Sequence, residues 1–81
     1  MKIKLTAIGR FQRYFPTRTS ELDFPGTTLA ELLAWVREQY GLDVRAHRNI
    51  RITHNSIMVK DFSVLLNDGD RIGFIPVVAG G

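Results

Sequence analysis

Thr28-Leu29-Ala30-Glu31-Leu32-Leu33-Ala34-Trp35-Val36-Arg37-Glu38-Gln39-Tyr40-Gly41 is the most regular stretch of the 81-residue chain. Leu29, Leu32, Leu33, Val36 and Tyr40 recur at three- and four-residue spacings, which places them along one side of an α-helix. Thr28 and Glu31 stand in capping-box positions, where each side chain can bond the other's backbone N–H. Gly41 closes the segment, because glycine takes the left-handed conformation that lets the last carbonyls find donors. The spacing therefore predicts a three-turn helix over residues 28–40, with Trp35 just off the main stripe as a core or boundary aromatic. Nothing else in the chain has this period at this length, so the fold is built around one helix.

The flanking segments read as strands. Ile3, Leu5 and Ala7 alternate with Lys2, Lys4 and Thr6, the period-two pattern of a strand with one buried face. After a basic and aromatic break from Gly9 to Pro16, Thr17 to Phe24 alternates again and predicts a hairpin partner, stopped by Pro25-Gly26. Beyond the helix, Ile50 and Ile52 alternate, Asn55-Ser56 reads as a turn, and Ile57 and Val59 alternate. Phe62, Val64, Leu65 and Leu66 are too apolar for a solvated loop and predict a short helical turn. Asn67-Asp68-Gly69-Asp70 is a strong turn signal before a last strand, Arg71 to Ile75, with Ile72 and Phe74 facing one way. The order β-β-α-β-β-turn-β defines an α+β domain, a mixed sheet of about five strands with one helix on one face. Residues 1–75 form that domain. Residues 76–81, Pro76-Val77-Val78-Ala79-Gly80-Gly81, are expected to be a flexible tail able to reach about 20 Å when extended.

Composition narrows the function. A chain of 9.2 kDa, 44% hydrophobic and 23% charged, builds one core and no second domain, and at this size a deep enclosed active site is not expected. The absence of cysteine excludes a disulfide framework, a thiol nucleophile and a cysteine metal site. No apolar run reads as a membrane span or export signal, and the expected location is cytoplasmic. The net charge of +3 is unevenly spread: residues 1–20 carry +5 and residues 41–60 carry +3, against −3 over 21–40 and −2 over 61–81. A basic face that attracts an acidic partner and a plain solvated surface both fit these numbers.

Few side chains suggest chemistry. His47 and His54 stand seven apart with no cysteine nearby and read as surface or hydrogen-bonded histidines, so no metal site is expected. Asp68 and Asp70 flank a glycine and read as turn formers rather than an acid–base pair. Ser56 and Ser63 have no base at a recognisable spacing, and no glycine-rich phosphate loop occurs. The chain is expected to be no enzyme by itself. The cluster Arg10-Phe11-Gln12-Arg13-Tyr14-Phe15 interleaves cations with aromatics and keeps a small RNA-binding domain as the rival of a different class, although nucleic acid is not the favoured partner.

The C-terminal Gly80-Gly81 has a mechanical meaning. Two residues without Cβ atoms pass through a channel as narrow as the main chain and leave the terminal carboxylate open to attack. A carboxylate lacks a good leaving group, but attack on the α-phosphate of ATP gives an acyl adenylate from which a sulfur or nitrogen nucleophile takes the acyl group. With the single-helix arrangement, the turn Asn67-Asp68-Gly69-Asp70, the strand Arg71-Ile72-Gly73-Phe74-Ile75 and the tail Pro76 to Gly81, nearly the whole chain resembles the ubiquitin-like (β-grasp) sulfur carriers. That group includes the small subunit of molybdopterin synthase (MoaD) and the thiamine-biosynthesis carrier (ThiS). Asp68, Gly69, Asp70, Phe74, Pro76, Val78, Gly80 and Gly81 match the ending of the molybdopterin branch, and Phe11 to Pro16 is similar to its basic loop. Val77 departs from the usual second proline, and His54-Asn55-Ser56 from the usual Val-Asn-Gly hairpin.

The resemblance implies a carrier with no bound cofactor. An E1-like adenylating enzyme would use ATP to activate Gly81, and a sulfurtransferase or cysteine desulfurase would supply sulfur for a thiocarboxylate. A larger molybdopterin synthase subunit would then receive it. Ala79 and Gly80 would thread the tail into partners, while Phe74, Ile75, Pro76 and Val78, with Arg10 and Phe11, would contact them. Thiamine biosynthesis is the alternative pathway, and conjugation to a lysine the alternative fate of the acyl group.

Overall fold

Alternation sets the first pairing. A computed structural model describes residues 1–77, and in it β1 (Lys2–Ala7) buries Ile3, Leu5 and Ala7 while turning Lys2 and Lys4 to solvent. β2 (Thr19–Asp23) runs antiparallel beside it, with Ile3 opposite Leu22 and Leu5 opposite Ser20. The chain then crosses through α1 (Leu29–Tyr40) and returns as β3 (Ile50–His54), the two-residue β4 (Ile57–Met58) and β5 (Arg71–Pro76). The five strands form one sheet in the order β2-β1-β5-β3-β4. β5 is parallel to β1 and antiparallel to β3, so the mixed sheet and the single main helix stand as the sequence predicts.

The helix begins and ends at the expected residues. The Thr28 hydroxyl accepts the Glu31 N–H at 3.2 Å, and Glu31 Oε1 accepts the Thr28 N–H at 3.1 Å. Gly41 sits at φ 77° and donates its N–H to the Arg37 carbonyl. Leu29, Leu32, Leu33 and Val36 are buried in one core with Ile52, Ile72 and Phe74, which face them from the sheet. Trp35 lies at the boundary, edge-on to Phe24 and to Tyr40.

The segment around Phe62 differs from expectation. Instead of a helix it makes a non-helical turn at Phe62-Ser63 and then crosses the start of α1: the Phe62 carbonyl accepts the Ala30 N–H at 2.8 Å and the Val64 carbonyl accepts the Leu29 N–H at 3.0 Å. Leu66 donates to the Thr27 carbonyl, and Leu65 bridges Thr28. The first N–H groups of a helix have no partner within it. This apolar stretch supplies acceptors for two of them, buries Leu66 and leaves Leu65 outward. Two short 3-10 turns, Gly9–Tyr14 and Val44–Ala46, were also not read from the sequence; the first occupies the basic, aromatic break and buries Phe11.

The Asn67–Asp70 turn is the tie between β1 and β5. Asp68 Oδ1 accepts the Lys2 N–H at 2.6 Å, Gly69 donates to the Lys2 carbonyl, and Lys4 donates to the Asp70 carbonyl. The buried Asp70 carboxylate accepts the Asn67 N–H at 2.9 Å, His54 Nε2 at 2.7 Å and Asn55 Nδ2 at 3.1 Å. Burial raises its pKa, but the bonds from the Asn67 N–H, His54 and Asn55 outweigh that and hold the carboxyl below its ordinary value. Both aspartates are turn formers, and His54 is a hydrogen-bonded histidine, as read from the sequence.

Two measurements follow from this end of the sheet. Because the folded pKa of Asp70 is depressed, its contribution is complete above the unfolded value of about 3.9 and is lost as pH falls through the folded value. Asp70→Ala, which strands three donors, should cost roughly 2–3 kcal/mol near neutrality. In denaturant titrations at successive pH values the gap from the parent should shrink below about pH 4; a gap independent of pH would show that the carboxylate's charge is irrelevant. Secondly, Asn55 and Ser56 turn the β3–β4 hairpin with both φ values positive, 51° and 73°. Ser56→Gly should remove left-handed strain and raise stability by about 1 kcal/mol in the same assay.

Candidate functional site at the exit of the last strand

β5 lies in the interior of the sheet, hydrogen-bonded on both sides, and its end is the place from which the chain continues to residues 78–81. Ile8 donates its N–H to the Phe74 carbonyl at 3.0 Å from one side. On the other, Val77 donates to the Asn49 carbonyl at 3.0 Å, and Arg10 Nη2 donates to that same oxygen at 3.1 Å. Pro76 pairs with Ile50 at a position where no ladder donor is required, so a proline fits an interior strand here. Its ring packs on Gly9: a Cβ on Gly9 would lie 3.0 Å from Pro76 Cγ, and Gly9 itself has φ 62°. The sheet thus holds the chain one residue beyond the expected boundary at Ile75, and Val77 is hydrogen-bonded as well.

The face of the sheet away from the helix is thinly covered at this strand. The Thr53 hydroxyl occupies the space above Gly73 where a Cβ would stand, and Thr6, Ile8, Arg71 and Ile75 surround a shallow hollow there. Ile75 and Pro76 are half-buried, so both retain surface that a partner can touch. Arg10 is exposed and fixed on Asn49. These three expected contact residues therefore come together at the strand exit, joined by Ile8, Thr53 and Asn49, which the sequence reading missed. Ile8 was legible as the next residue after an alternating strand; the other two carried no signal.

Two expected contacts are corrected. Phe74 and Phe11 are both 0% exposed, because alternation in β5 points Phe74 inward opposite Ala7 and Ile52, and the 3-10 turn folds Phe11 under the sheet's end against His47. Neither presents its ring to a partner. The same burial removes much of the case for stacking bases: Phe15 is also buried, against Tyr40, and Tyr14 is half-buried with Arg13 over its ring. Val78, Ala79, Gly80 and Gly81 lie outside the described residues. Among those described, no helix is long and apolar enough to cross a membrane.

Comparison with known proteins places this geometry. The ThiS family profile matches residues 9–81. Among solved structures, a molybdopterin converting factor subunit 1 from Pyrococcus furiosus superposes with a TM-score of 0.78 at 20% identity, over 96% of this chain and 99% of that one. The small archaeal modifier protein 1 from Methanosarcina acetivorans superposes at 0.78 and 19% identity, over 99% and 96%. A chain from the complex of subunits 1 and 2 of molybdopterin-converting factor from Helicobacter pylori gives 0.71 at 25% identity, over the full length of both. A search of curated proteins finds no match. With the family match running from Gly9 through the final glycine, across the sheet that carries the strand exit, the chain belongs to the ThiS family of ubiquitin-like sulfur carriers.

Proposed function

We propose that the chain carries sulfur as a thiocarboxylate on Gly81 and delivers it in molybdopterin (molybdenum or tungsten cofactor) biosynthesis. The observation that carries this reading is the family match through residue 81, together with a last strand locked on both sides up to Val77. The body is held rigidly to the point where the tail leaves it, so a partner that grips the body also fixes where Gly81 can reach. An E1-like enzyme would bind the carrier and ATP; a Gly81 carboxylate oxygen attacks the α-phosphorus, forming the acyl adenylate and expelling pyrophosphate. Sulfide, released from the enzyme persulfide of a sulfurtransferase or cysteine desulfurase by a reducing thiol that ends as a disulfide, attacks the acyl carbon and displaces AMP, leaving the thiocarboxylate and releasing a proton to solvent. A larger synthase subunit then accepts the tail and takes the sulfur. The carrier supplies no catalytic group. The work takes place in the cytoplasm.

The molybdopterin assignment over thiamine is supported by the Pro76-Val77-Val78-Ala79-Gly80-Gly81 ending and by the likeness to the Helicobacter pylori chain, whose structure is a complex of two converting-factor subunits. Ile75, Pro76, Val78 and Arg10 would contact the partner, with Ala79 and Gly80 in its channel.

Incubation with ATP, an E1-like activating enzyme and sulfide, followed by intact-mass measurement, should show one oxygen replaced by sulfur, localised to Gly81 by fragmentation. A chain extended by one alanine after Gly81 should show no change. Sulfur incorporation in the extended chain, or an unchanged mass of the parent with the activating enzymes of both the molybdopterin and thiamine pathways, would overturn the reading.

A further inference from the structure

The excess positive charge of residues 41–60 converges on one groove. It lies between the 3-10 turn at Val44–Ala46, the outer edge of β3 and the strand leaving β4, and Val77 closes the end nearest the tail. Arg45, Arg48, Arg51 and Lys60 line it, and all four are exposed. No carboxylate lines it. The ion pairs among the described residues, Lys2 with Asp23, Arg37 with Asp43 and His54 with Asp70, involve none of these four. Two of the guanidinium groups are positioned by apolar neighbours instead: Arg45 lies over the Phe62 ring at 5.3 Å, and Arg51 Nη1 stands 2.8 Å from Met58 Sδ. Between the cations the surface is apolar, with Ile50, Val59 and Met58 along it.

The groove also contains a free strand edge. Val77 bonds Asn49, and the register then makes Arg51 and Thr53 the residues that exchange hydrogen bonds with β5. The N–H and C=O groups of Ile50 and Ile52 consequently point the other way, toward β4. β4 ends at Met58; beyond it the Val59 N–H reaches the Ile52 carbonyl, and no described backbone group reaches Ile50. An extended peptide laid against this edge would pair its main chain with Ile50, set alternate side chains into the apolar strip and hold the others against the cations. A ribonucleotide strand fits poorly: the strip is aliphatic, of its two aromatic rings Phe62 lies under Arg45 and His47 packs edge-on to Phe11, and bases do not satisfy a strand edge in register.

We propose that this groove docks an extended acidic segment of a partner protein, in which aspartate or glutamate alternates with aliphatic residues. If the carrier reading holds, the segment belongs to a protein that handles the tail, since Val77 forms the groove's end. Repulsion among four cations without counter-charges then favours the docked state and speeds encounter with an acidic partner.

The test uses the full-length ¹⁵N-labelled chain and an acetylated, amidated octapeptide of alternating Asp and Ile, with the matching Lys and Ile octapeptide and a ten-uridine RNA as comparisons. The acidic peptide should shift the amides of Ile50, Ile52, Val59 and Lys60 saturably, leave Ser20 and Leu22 on the far edge unmoved, and weaken as salt rises. The double variant Arg48→Glu, Arg51→Glu should bind at least tenfold more weakly; the single variant Arg48→Gln, which keeps the fold least disturbed, should show a smaller loss in the same direction. Shifts centred on Thr6, Gly73 and Ile75, equal binding of the lysine peptide, RNA binding as tight at the same amides, or affinity unchanged by the variants would each overturn the proposal. No ATP or activating enzyme is present, so peptide docking is scored whether or not Gly81 ever receives sulfur.

Discussion

The structure depends on hydrogen bonding along both sides of β5. This strand pairs in parallel with β1 and antiparallel with β3, and both ladders would open if it were withdrawn. A parallel neighbour cannot be reached by a tight turn, so the β2 strand, the helix and the β3–β4 hairpin are all spent between β1 and β5. The last strand can therefore enter only once the rest of the sheet is available to receive it. Its contacts are long-range in sequence, and the strand formed last along the chain sits at the middle of the sheet.

That placement explains why the local devices cluster at the two ends of β5. At its start, the Asn67–Asp70 turn holds Lys2 and Lys4 by backbone bonds and buries one carboxylate among three donors. At its end, Gly9 makes room for the Pro76 ring while Arg10 and Val77 share the Asn49 carbonyl. A carbonyl has two lone pairs, so the two donors reinforce rather than exclude one another. The helix contributes differently: it covers the inner face, and its own first N–H groups are completed by the chain at Phe62 and Val64 on its way to β5.

Most of the architecture was legible because local and tertiary preferences agree. The Thr28–Glu31 box, the left-handed Gly41 and the alternation in β1, β3 and β5 each announce their structure within a few residues. The site was only half legible. Phe74 and Phe11 look like surface anchors beside a tail, yet alternation and the 3-10 turn bury them. Period-two reasoning could have placed Phe74 inward with Ile72; for Phe11 no local rule exists, since its burial is set by a turn that reverses the chain beneath the sheet. The stretch from Phe62 to Leu66 misled for a related reason. Its apolar residues satisfy a helix terminus that is far away in sequence, which composition signals but direction does not. The groove was visible only as a block of positive charge, because the strand edge that gives it shape appears when β4 stops two residues after its turn.

The charge distribution now separates two surfaces that the totals had merged. Lys2, Lys4 and Arg71 belong to the open face, where Lys2 is paired with Asp23 across the β1–β2 edge. Arg45, Arg48, Arg51 and Lys60 surround the other edge, with no acid among the lining residues. A screened surface charge acts over about 10 Å at ordinary ionic strength, so cations gathered around one groove act together, whereas the same number spread over the sheet would not. A carrier must be recognised in turn by proteins that load it and proteins that unload it. Two surfaces meet at the end of β5, one apolar around Ile8 and Ile75 and one cationic along β3, and they differ in the chemistry they offer to a partner. The low identity to structures of the same fold is the expected consequence: the backbone course as far as Val77 is fixed by the sheet, and the surface on either side of it is free to change.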